Sequence, residues 1–135
     1  MVLNHRPLAF ELNVGQAAAD ASFVVHAGTV AALISSTGIE AAVPIPSAAR
    51  ASMRFVGAAK VEGRGGERTG GASYLFGNDP TRWHTHVPAF ASVMFGDVWP
   101  GIDVVWRGED GVLEYDFVVH PGVPLTVRAN FQYFL

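Results

Sequence analysis

The chain contains no cysteine. That excludes disulfides, thiolate zinc sites and cysteine nucleophiles, and it leaves the redox compartment open. No apolar run approaches the roughly 18 residues of a membrane-spanning helix, so membrane insertion is not expected. Charge is scarce, with 16% of residues charged against about 25% in an ordinary domain. The basic residues are eight arginines and the single Lys60, and they are scattered along the chain. A general nucleic-acid binder neutralises phosphates with a clustered basic face. Nucleic acid is therefore not an expected partner. Met1 to Pro7 lacks the charged, apolar and small-residue regions of a secretory leader.

What is present is apolar and rich in turn residues. The 135 residues are half hydrophobic, with 15 glycines, 8 prolines and a formal net charge of -3. That is the length of one domain. Phe23-Val24-Val25-His26 and Thr29 to Ile34 read as strands split by Gly28, and Ser35-Ser36-Thr37-Gly38 reads as a turn. Ile39 to Val43 then forms a return strand. Gly28, Gly38, Pro44 and Pro46 leave no room for an uninterrupted helix, and Ala17 to Ala21 offers one helical turn at most. Pro44 to Ala49 reads as a loop and Ala51 to Val56 as a strand. Glu62 to Gly71, with five glycines, reads as a mobile surface loop. Gly77-Asn78-Asp79-Pro80 is a turn. Trp83, Thr85 and Val87 alternate with His84 and His86. Phe90 to Phe95 is a further strand, and Asp97 to Gly101 a tight connection.

The clearest pattern follows. Ile102, Val104 and Trp106 fall on one face of a strand, and Asp103, Val105 and Arg107 on the other. Leu113, Tyr115, Phe117 and Val119 then alternate with Glu114 and Asp116. This predicts a half-buried antiparallel hairpin. A four-residue loop, Gly108 to Gly111, would set Asp103 across from Asp116. A two-residue loop at Asp110-Gly111 would set Arg107 across from Glu114. Both keep the apolar residues on one face, because the registers differ by two. Opposed carboxylates repel, opposed Arg and Glu attract, and Asp-Gly suits a type I′ turn. The two-residue loop is the expected one. Together these segments predict an all-β, antiparallel sandwich-like domain with hairpins and at most one short helix, spanning residues 1–135.

Four blocks carry a family resemblance. They are Leu8-Ala9-Phe10-Glu11-Leu12-Asn13-Val14-Gly15-Gln16, Tyr74 to Trp83, Val87-Pro88-Ala89-Phe90, and Asp97 to Trp106 running into Leu113 to Gly122. In order and spacing the chain resembles the N-terminal domain of bacterial SBBP-repeat proteins, large secreted or surface proteins with β-propeller-type repeats downstream. Trp99 stands where that pattern expects Tyr. The resemblance implies a non-catalytic structural or adhesion module, located outside the cell or on its surface. Its partners would be the downstream repeats or a surface glycan or protein. It implies no cofactor and no catalytic residues. It also implies an incomplete copy of a longer domain, because the family pattern continues beyond the strand at Leu125 to Leu135. Such a strand, left without a neighbour, would form an edge prone to self-association.

Several side chains are candidates for chemistry. His84-Thr85-His86 places two imidazoles on one face of an ideal strand, and a tetrahedral metal would need a third ligand, from Asp79, Asp97 or His120. Glu114 and Asp116 are two carboxylates on one strand face, the pairing a glycosidase uses when a cleft separates them. Asp103 could join them in an oxygen-rich calcium site. Trp99, in a turn, is the best candidate for an exposed sugar-stacking ring. The competing function is therefore a carbohydrate-binding or glycan-active domain built on Glu114, Asp116 and Trp99. An ordinary polar outer face explains the two carboxylates equally well.

Overall fold

The computed structural model describes residues 7–28, 30–42, 50–74, 78, 81, 83–124 and 127–134. The described residues form an all-β sandwich with no helix. The strands are β1 (Phe10–Leu12), β2 (Phe23–Ala27), β3 (Val30–Ser35), β4 (Gly38–Ala42), β5 (Arg50–Phe55), β6 (Gly63–Gly65), β7 (Arg68–Tyr74), β8 (His84–Phe90), β9 (Ser92–Trp99), β10 (Ile102–Glu109), β11 (Val112–Val119) and β12 (Ala129–Phe134). One sheet has the order β12-β5-β4-β3-β2-β1-β8-β7, the other β11-β10-β9-β6. All pairings are antiparallel.

Ile102, Val104 and Trp106 are buried, as alternation assigned them, whereas Tyr115 and Val119, assigned to the same face, are exposed. Phe10, Phe23, Val25 and Ile34 of the large sheet face Phe95, Val98, Val104 and Trp106 of the small one. Phe23 meets Phe95 edge-on at 6.1 Å between centroids, and Phe55 lies 6.3 Å from Trp106. Burying each such side chain stabilises the fold by roughly 1.5–3 kcal/mol.

The sheets share a bent corner. The chain passes from β8 to β9 through Ala91 alone, and from β6 to β7 through Gly66 and Glu67. The Gly66 amide donates to the Ser92 carbonyl at 2.9 Å, and the Ala91 amide to the Glu67 carbonyl at 2.8 Å. This corner overturns the reading of Glu62 to Gly71 as a mobile loop. Gly63 packs flush on aromatic rings, where a Cβ would lie 2.6 Å from Phe23 and 2.7 Å from Phe95. Glycine here serves close packing rather than mobility. The strand expected over Phe90 to Phe95 likewise divides at Ala91, and β9 runs on through Asp97 to Trp99.

The β10–β11 hairpin adopts the two-residue loop. Asp110 and Gly111 have φ of 54° and 79°, the left-handed pair that a type I′ turn requires. Arg107 stands across from Glu114, Val105 across from Asp116 and Asp103 across from Val118. β12 pairs with β5 from Ala129↔Phe55 to Phe134↔Arg50, so the C-terminal strand has a neighbour on one side. The loop expected at Pro44 to Ala49 lies outside the described residues, as does most of the turn at Gly77 to Pro80.

Candidate functional site

The candidate carboxylates lie on the small sheet, in two groups at opposite ends of one hairpin. Near the Asp110-Gly111 turn, Arg107 serves both carboxylates of β11. Its guanidinium lies 2.7 Å from an Asp116 oxygen and 3.8 Å from a Glu114 oxygen. The Glu114 contact follows from the register, and the Asp116 contact is the diagonal neighbour within reach of a long side chain. All three side chains are about half exposed. Glu114 and Asp116 thus share one guanidinium on the exposed outer face of a sheet.

At the other end, Asp103 is the centre of a second group. One of its oxygens accepts from the Asp97 amide at 2.8 Å, and the other meets His120 Nε2 at 2.9 Å. Asp97 in turn accepts from the Gly101 amide at 3.0 Å, and the His120 amide donates to the Gly101 carbonyl at 2.8 Å. The register slips between Ile102 and Val104 where β9 bulges around Asp97, whose φ is 49°. The bulge swings the Asp97 amide toward Asp103. The Asp97 amide first, and the His120 imidazole second, hold the Asp103 carboxyl below the ordinary aspartate range. The hydrogen bond to Asp103, reinforced by its charge, holds the His120 imidazole above the ordinary histidine value. Asp103 therefore does not join Glu114 and Asp116 in a calcium site. His120 and Asp97, both candidate third ligands for the histidine pair, belong to this group on the small sheet, whereas His84 and His86 lie on β8 of the large one.

The histidine pair also departs from ideal strand geometry. His86 has φ 56° and lies where β8 slips against β7, between Val87↔Ala72 and His84↔Tyr74. The bulge breaks the two-residue alternation, and Thr85 and His86 are both exposed. Asp79 lies outside the described residues. Among the described residues no three His, Asp or Glu side chains are grouped to hold a metal.

Trp99 is not an exposed platform. It is half-buried, its Nε1 donates to the Val56 carbonyl at 2.8 Å, and its ring packs on Phe55 at 5.6 Å and Phe117 at 5.8 Å. Among the described residues the exposed aromatic is Tyr115, assigned to the core by alternation but 38% exposed, on β11 at the edge of the small sheet.

Two features carried no chemical signal in the sequence. Asn13 organises the segment after β1: its amide donates to the Ala18 and Ala21 carbonyls at 2.8 Å, and its oxygen accepts from the Gly15 and Ala17 amides. A groove of about 720 Å³ lies beside the β3–β4 turn, among Ser36, Gly38, Glu40, Arg50, Arg54 and Lys60. None of the candidate residues lines it.

The blocks built on Asn13, Trp99 and Asp103 therefore do structural work. A family model described as a domain of unknown function, DUF7948, matches residues 10–132. The chain belongs to that family. The match begins at Phe10, the first residue of β1, and closes within β12, so the DUF7948 domain takes in strands of both sheets. No curated protein and no solved structure matches the chain.

Proposed function

We propose that this DUF7948 domain is a non-catalytic structural or adhesion module of a secreted or cell-surface bacterial protein, the role implied by its resemblance to the N-terminal domain of SBBP-repeat proteins. The observation that carries the proposal is the position of Arg107. One guanidinium binds both Glu114 and Asp116, the carboxylates that the glycan-active reading requires. A glycosidase holds its two carboxylates free to face a bound sugar, whereas these two lie half-exposed on a sheet face beside one guanidinium. Trp99, the third member of that reading, is half-buried, with its ring packed on Phe55 and Phe117. What remains is a rigid sandwich whose sequence motifs brace turns. Its partners would be downstream β-propeller repeats or a surface glycan or protein.

The test compares cells producing the full-length protein with cells producing it without residues 10–132. Added protease should cleave the tagged protein on intact cells, and attachment to protein- or glycan-coated surfaces should fall when the domain is removed. Sugar release by the purified domain, lost on Glu114→Gln, would overturn the proposal in favour of the glycan-active reading.

A further inference from the structure

The small sheet ends in a long, regular strand whose edge protection, among the described residues, is limited to the charges of Glu114 and Asp116. β11 is eight residues long, pairs with β10 without a bulge, and contains no proline, lysine or arginine. Natural edges are commonly blunted by those devices. Of the three other edges, β12 is also regular, six residues paired with β5 without a slip, and the remaining two are short or irregular. β6 has three residues, and β7 slips twice against β8. On β11, Val112, Tyr115, Val118 and Val119 are exposed, four of the seven large hydrophobics exposed among the described residues. Its outer face reads Val112, Glu114, Asp116, Val118: two acids between two exposed apolar residues.

The charges favour one kind of occupant. The two antiparallel registers that overlap most of two β11 strands set Glu114 against Asp116, or Asp116 against itself. Directly opposed carboxylates are destabilising, so a second copy is disfavoured. Glu114 has its nearest Arg107 nitrogen at 3.8 Å, beyond hydrogen-bond distance. It can accept from a cation arriving on the free side. We propose that the free edge of β11 takes up an extended segment of a partner protein in which basic residues alternate with apolar ones, adding a fifth strand to the small sheet. Backbone pairing would supply affinity, and cations facing Glu114 and Asp116 would supply specificity. The inference deepens the module reading and rests on it for the existence of a partner.

The probe is a capped nine-residue peptide alternating lysine with valine, with a glutamate–valine peptide as its counterpart. The whole domain should bind the basic peptide at least roughly tenfold more tightly, since two opposite-charge pairs replace two like-charge pairs. Amides of 112–119 should gain hydrogen-exchange protection. E114Q/D116N should bring the ratio of affinities near one. Val118→Lys, a charge at an exposed site, should weaken the basic peptide while leaving the fold intact. Equal affinity for the two peptides, protection gained elsewhere, or a peptide-free dimer joined through β11 would each overturn the inference. Peptide selectivity without any loss of surface attachment on removing the domain would instead count against the module reading alone.

Discussion

Arg107 stands directly across from Glu114, yet its shorter ion pair is the diagonal one, 2.7 Å to Asp116 against 3.8 Å to Glu114. One guanidinium thus offsets one of the two carboxylate charges on the outer face of the edge strand. The pair is about half exposed, so water screens it. Arg107→Met should cost about 0.2–1 kcal/mol. Urea unfolding at low salt and at 0.5 M salt checks this, and the difference between the two proteins should shrink at high salt.

Asp103 and His120 make stability depend on pH in two directions. The imidazole is held above its ordinary value of about 6.5, so its contribution is complete below that pH and is lost as pH rises through the higher folded value. The carboxyl is held below its ordinary value of about 3.9. Its contribution is complete above that pH and is lost as pH falls through the lower folded value. The pair is therefore strongest between about pH 4 and pH 6.5. In urea midpoints measured across pH, His120→Gln should remove the decline on the alkaline side. Asp103→Asn should remove both limbs, and an unchanged profile in either variant would refute the linkage.

Gly63→Ala places a methyl between the rings of Phe23 and Phe95, both almost wholly buried. Overpacking of this kind costs about 1–3 kcal/mol. Thermal unfolding should show a clear drop in midpoint. A neutral result would mean that the β6 edge can lift from the rings.

Trp99→Phe keeps an aromatic ring against Phe55 and Phe117 but removes the donor to the Val56 carbonyl. The expected loss is about 1 kcal/mol. Binding of soluble oligosaccharides to the domain, read by isothermal titration, should be the same with and without the substitution, because the ring is packed on Phe55 and Phe117.

The register and turn of the hairpin from Ile102 to Val119 were legible. Its strands alternate with period two, its turn carries Asp-Gly, and its charges choose between two registers that the apolar pattern leaves equal. All of these are neighbours along the chain or across one turn, so the sequence displays them directly. The sandwich class followed from the same alternation repeated in short segments.

Other features depend on partners far away in the chain, and only the tertiary structure decided them. Trp99 is turned onto Phe55 and Phe117, with its Nε1 held by the carbonyl of Val56, 43 positions earlier. Gly63 lies in a strand because the rings of Phe23 and Phe95 meet there, although glycine-rich sequence in isolation reads as a loop. Asp97, Asp103 and His120 meet because a bulge in β9 and the exit of β11 reach the same turn. Tyr115 is exposed on β11, the edge of the small sheet, a fact of sheet order that alternation cannot express. Period and turn chemistry are local and so determine faces and hairpins. Which faces and edges are covered depends on how the two sheets pack, and that is set by contacts between segments that no local pattern brings together.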